Sequence, residues 1–81
     1  MNKPIKIQQL YVGQLIVRRT DEEVQVYTVA KIDRYDILLK WNEGTHECEA
    51  TTDNFDCYKP TIEQIEYSIT QNGPLVPASA I

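Results

Sequence analysis

Apolar and polar positions alternate most regularly between Val24 and Asn42. Val24, Val26, Thr28, Ala30 and Ile32 fall on one parity, and Ile37, Leu39 and Trp41 share another. β-branched and aromatic residues dominate both runs, and side chains alternate between faces along a strand. The break Asp33-Arg34-Tyr35-Asp36 is polar and short, so the pattern predicts a long antiparallel hairpin. Upstream, Gln14–Arg19 reads as a strand with Leu15 and Val17 on one side and Ile16 on the other. Gly13 before it permits a bulge or turn. The polar group Thr20-Asp21-Glu22-Glu23 reads as a turn. Downstream, Asn42-Glu43-Gly44-Thr45 predicts a turn in which Gly44 takes positive φ. His46–Thr51 then reads as a half-buried strand, with His46, Cys48 and Ala50 on one face and Glu47, Glu49 and Thr51 on the other. Thr52–Asp56 is a turn anchored by Phe55, and Cys57-Tyr58 a last short strand.

The period changes after Pro60. Thr61, with Gln64 three residues on, fits a capping box. Ile62, Ile65 and Ile69 recur at i, i+3 and i+7, and Asn72-Gly73-Pro74 is a stop signal. The spacing predicts a helix over 62–71 with these isoleucines facing inward; a strand is the competing reading, since Ile65, Tyr67 and Ile69 also alternate. Residues 1–10 read as a mixed arm in which Ile5 and Ile7 form a short edge strand begun by Pro4. The tail 74–81 is extended, and Leu75 and Val76 are its docking residues. Val26, Val29, Ile32, Ile37, Leu39, Trp41 and Phe55 are the expected core.

Short strands with tight turns and one terminal helix predict a mainly β domain that closes its edges as a small five-stranded barrel over about 11–58. The 81 residues are read as one domain, 1–81. A barrel of this order resembles the SH3-like barrels, the Tudor and KOW types in particular. The likeness rests on Gly13-Gln14-Leu15-Ile16-Val17, Tyr27-Thr28-Val29-Ala30-Lys31-Ile32, Ile37-Leu38-Leu39-Lys40-Trp41 with Gly44 beyond it, and Phe55 after a polar turn. The aspartate–tyrosine–glycine run common in Tudor domains is here Asn42-Glu43-Gly44, which departs from a methyl-ligand cage.

Charge narrows the function. Residues 1–40 carry seven cations against five anions, while residues 41–81 carry Lys59 against seven carboxylates, within a net −4. A dedicated phosphate-backbone binder shows a basic footprint instead. Arg18, Arg19, Lys31, Arg34 and Lys40 are the residues from which a basic strip for nucleic acid would be built. Tyr27, Tyr35, Trp41 and Phe55 are the candidate groove for a peptide or cationic ligand, the alternative being that Trp41 and Phe55 fill the core. His46, Cys48, Asp56 and Cys57 are metal-ligand types without paired chelating spacing, so no metal site and no cofactor are expected. Glu47, Glu49 and Asp56 would oppose a thiolate nucleophile. With two cysteines there is no disulfide framework, and a reducing cytoplasm is the expected compartment. No apolar run nears the roughly 20 residues of a membrane span, and Met1–Lys6 is not followed by the apolar run of a secretory signal.

One run points to an enzyme. Val24-Gln25-Val26-Tyr27 resembles the Val-Gln-Ile-Tyr run of the plasmid-borne type II dihydrofolate reductases, small barrels that build one pore at a tetramer centre. That family carries the run in its last strand; here it lies in an early one. The expectation is therefore a non-catalytic, protein-binding module. A nucleic-acid accessory protein is the alternative and an oligomeric reductase the second alternative. The Ile5–Ile7 arm, the Cys57-Tyr58 edge and the apolar tail also predict a homodimer, its register set by the opposite charge of the two halves.

Overall fold

The computed structural model describes residues 3–19, 23–53 and 55–80. The predicted turn residues Thr20, Asp21 and Glu22 lie outside it, as do Asn54 of the later turn, Met1 and Asn2 of the arm, and Ile81 of the tail. Five strands form one antiparallel sheet: β1 (Leu15–Arg18), β2 (Tyr27–Ile32), β3 (Asp36–Trp41), β4 (His46–Thr51) and β5 (Cys57–Tyr58). Their order is β4-β3-β2-β1-β5. One helix, α1 (Ile62–Asn72), follows. No helix among the described residues is long and apolar enough to cross a membrane.

The β2–β3 hairpin is the one expected, closed by Asp33 N–H donating to the Asp36 carbonyl at 2.8 Å. Its face assignment needs correction. Val29 pairs with Leu39 but Lys31 with Leu38, so β2 spends an extra residue at Ala30. Such a bulge bends the strand and reverses its parity. Val29 and Ile32 therefore share the face of Ile37 and Leu39, while Val26 and Thr28 lie on the other. The six pairs between β3 and β4 are regular, from Asp36–Thr51 to Trp41–His46.

The expected closure into a barrel is not made by the ladder: β4 and β5 stand at opposite ends of the sheet order. β5 has two residues, and both pair with β1. Its other edge is taken by the N-terminal arm, where Pro4 bridges Tyr58 and Ile5 N–H donates to the Cys57 carbonyl at 2.8 Å. The arm thus covers an edge, as Ile5 suggested, although Ile7–Gln9 is a 3-10 turn and not strand.

Both faces of the sheet are covered. Ile16, Tyr27, Val29, Ile37, Leu39, Ala50, Phe55 and Cys57 form the main core, with Ile5, Ile7 and Leu10 of the arm packed on it. Val17, Val26 and Val76 are buried outside that cluster. Thr28, on the face of Val26, donates its hydroxyl to the Val76 carbonyl at 2.8 Å and straps the tail down. Gly13 is required here: it takes φ +94°, and a Cβ there would stand 2.9 Å from that of Ala78. Of the expected core, Val26, Val29, Ile37, Leu39 and Phe55 are buried, while Ile32 and Trp41 are half-buried.

The helix begins as predicted. The Thr61 hydroxyl accepts from Gln64 N–H at 3.1 Å and Gln64 Oε1 accepts from Thr61 N–H at 2.8 Å. Its inward face is not the predicted one. Ser68 is fully buried, Ile65 is half-buried, and Ile62 and Ile69 are exposed. The reason is a backbone group. Val26 lies just before β2, and its buried N–H donates to Ser68 Oγ at 3.0 Å. Turning Ser68 to the sheet gives this amide its partner, whose loss would cost about 1–3 kcal/mol, and the same roll leaves Ile62 and Ile69 outward.

Candidate interaction surface

The arm, the start of β1 and the first turns of α1 enclose a groove of about 490 Å3. Ile5 and Gln9 come from the arm, Tyr11, Gly13, Gln14 and Leu15 from the entry to β1, and Lys59, Pro60 and Ile65 from the β5–α1 joint. Each wall has a local cause. The Pro4–Tyr58 bridge holds Ile5 in place, and Gln14 Oε1 accepts from Tyr11 N–H at 3.1 Å and fixes the bend. Gly13 N–H donates to the Val29 carbonyl at 2.7 Å. Burial of Ser68 sets the roll of the helix, so Ile65 lines the groove while Ile62 and Ile69, one turn before and one turn after it, are exposed. At about 100° per residue, Ile62 projects about 120° away from Ser68. Ile62 is 74% exposed and Tyr11 61%. The lining is mostly apolar, with Lys59 its one charged side chain. Concave, largely apolar sites of roughly 300–1,000 Å3 are where ligands and anchoring side chains bind.

A second hollow of about 360 Å3 lies across Gln64, between Val17, Arg18, Arg19, Glu23, Val24, Gln25 and Tyr58. Its charged lining is two cations, Arg18 and Arg19, against one carboxylate, Glu23.

The residues singled out in the sequence are spread over the molecule. The Tyr27 ring meets Trp41 edge-on, with centroids 5.3 Å apart at 87°, and Trp41 lies 5.5 Å from His46. Tyr27 and Phe55 are buried, whereas Tyr35 stands 67% exposed on the β2–β3 turn with Arg34 over its ring. These four aromatics do not line one groove. The five cations are likewise separated. Arg18 lies 5.5 Å from the Phe55 ring and, with Arg19, ends β1 beside β5. Lys31 pairs with Asp33 at 3.4 Å and, with Arg34, sits at the opposite end of β2. Lys40 on β3 stands opposite Glu47 of β4 in the strand register. The Gln25 amide donates to the Val26 carbonyl and to Ser68 Oγ, which commits it to holding the helix.

The thiols are equally placed by the fold. Cys48 and Cys57 are both free, on β4 and β5. Burial and then the neighbouring Asp56 carboxylate push the Cys57 thiol from 9.0 up to about 11, with Arg18 opposing. No three metal-ligating side chains come together among the described residues.

The alternation pattern does not point to this groove: of its lining residues only Ile65, in the stripe with Ile62 and Ile69, was expected among the inward-facing helix positions. Ile62 and Ile69 carry the signal, but a hydrophobic stripe does not reveal whether it faces its own sheet or solvent. The structure is a small antiparallel sheet protein with one helix, a mostly apolar groove and two exposed helix isoleucines. No family model, curated protein or solved structure matches this chain.

Proposed function

We propose that this protein is a small, non-catalytic protein-binding module of the SH3-like type. Its partner docks in the groove between the arm, β1 and α1. The observation that carries this reading is the exposed pair Ile62 and Ile69 beside a mostly apolar cavity of about 490 Å3. Exposed apolar surface next to a concave site is what a docking partner covers. The strand succession β4-β3-β2-β1-β5, with β5 returning to β1 and a bulge curling β2, supports the SH3-like likeness. The two free cysteines are compatible with a reducing, cytoplasmic setting. Separation of the five cations weighs against a nucleic-acid strip.

A photo-crosslinking residue placed at Ile62, and separately at Tyr35, tests the reading. Both positions are largely exposed, so exposure alone does not distinguish them. The Ile62 position is expected to give a protein adduct of discrete mass that Ile69→Glu abolishes, and the Tyr35 position none. Adducts to nucleic acid, or equal labelling at both positions, would refute it.

A further inference from the structure

The two segments that flank the groove, the arm and α1, differ in charge. The arm carries Lys3 and Lys6, and residues 3–19 contain no carboxylate. The helix side carries Glu63 and Glu66, and residues 60–80 contain no cation. Between them run the cavity and the exposed ridge of Ile62 and Ile69. At about 100° per residue, the order around the helix from the cavity outward is Ile65, then Ile69 and Ile62, then Glu66, then Glu63.

From this pattern we propose that the occupant of the groove is α1 of a second copy of this chain, the two copies related by a two-fold axis running along the helix. The inference rests on the docking face proposed above and names its partner. Symmetry selects the orientation. An axis perpendicular to α1 in the plane of contact would oppose ridge to ridge and helix carboxylates to helix carboxylates. An axis along α1 exchanges left and right. Each ridge then enters the other copy's groove, and each Glu63–Glu66 pair meets the other copy's Lys3–Lys6 arm. Shape and charge require the same arrangement, with α1 and its mate parallel. A two-fold contact of this kind uses one patch twice and closes on itself.

Sedimentation equilibrium of the full chain, from low micromolar to high micromolar concentration, is the test. The mass is expected to rise from 9.4 kDa toward twice that value. Ile69→Glu should hold it at the monomer mass with an unchanged thermal midpoint, since position 69 is exposed. Glu63→Lys with Glu66→Lys should weaken association about tenfold or more, and Lys3→Glu with Lys6→Glu should do the same. All four changes in one chain should restore it, as a contact between the helix carboxylates of one copy and the arm lysines of the other requires. Failure of the fourfold variant to recover, while its circular dichroism matches the wild type, overturns the orientation. A wild-type chain that stays monomeric overturns the pairing. In that case a crosslinked foreign protein at Ile62 leaves the docking face standing, and absence of any adduct removes both.

Discussion

Ser68→Ala isolates the contact that decides how the helix lies on the sheet. The hydroxyl accepts from Val26 N–H at 3.0 Å and from the Gln25 amide at 3.2 Å, and the serine is fully buried. Removing it leaves Val26 N–H without a partner where water does not reach, a loss of about 1–3 kcal/mol. Two effects act the other way. Alanine is the better helix former by about 0.5 kcal/mol, and the Gln25 amide keeps its 2.8 Å bond to the Val26 carbonyl. The net expectation is a destabilisation of about 0.5–2.5 kcal/mol. Urea denaturation followed by tryptophan fluorescence reads it, because Trp41 is the one tryptophan in the chain. Amide exchange at Val26 should quicken beyond the global change, which a purely global loss would not do. Thr70→Ala is the control: its hydroxyl donates to the Glu66 carbonyl at 2.9 Å on the exposed side, so it should be neutral or slightly stabilising. An unchanged midpoint for Ser68→Ala, with Val26 exchanging as in the wild type, would refute the account of why the isoleucines face outward.

The remaining expectations concern other parts of the fold. Leu39→Ala, at a fully buried position of β3, should lose about 2–5 kcal/mol in chemical denaturation. Thr61→Ala should cost about 1 kcal/mol and reduce helical chemical shifts over the first turn of α1, since it removes half of the capping box. Gly73 takes φ +88° and ψ −176°, and a Cβ there would stand 2.8 Å from Asn42 Oδ1; Gly73→Ala should therefore lose about 1–3 kcal/mol by thermal melting. The Cys57 thiol, raised to about 11, binds its proton more tightly folded than unfolded. Its contribution to stability is thus complete below pH 9.0 and is lost as pH rises toward 11. Cys57→Ser should flatten that part of the stability–pH curve, and a thiol reagent should modify Cys48 before Cys57 in the native protein.

Where a choice was local, the residues show it. Thr61 and Gln64 satisfy each other's amides within one turn, so the start of α1 is legible from two side chains. The β2–β3 hairpin is legible because β-branched runs flank a polar turn. Gly44 takes φ +86° where a turn was expected, although the same turn also holds Asn42 and Glu43 at positive φ. Glu43 is held by a long-range partner, its N–H donating to the Pro74 carbonyl at 3.1 Å. Nothing in Asn42-Glu43 itself announces that contact. The candidate groove was not legible either: the aromatics that looked like a binding face went into the core or onto separate turns.

The amino-acid pattern by itself therefore determined the five strands, the helix and its cap, and most of the central core, because each depends on alternation, capping or turn chemistry within a few residues. The tertiary structure alone decided which face each element shows. A single extra residue at Ala30 reverses the parity of β2, and a single buried amide at Val26 draws Ser68 inward and leaves Ile62 and Ile69 in solvent. Parity is set by the register of β2 against β3, and the roll of the helix by a hydrogen bond between residues 42 positions apart. Local periodicity carries no record of those partners, and the outward placing of Ile62 and Ile69 is their consequence.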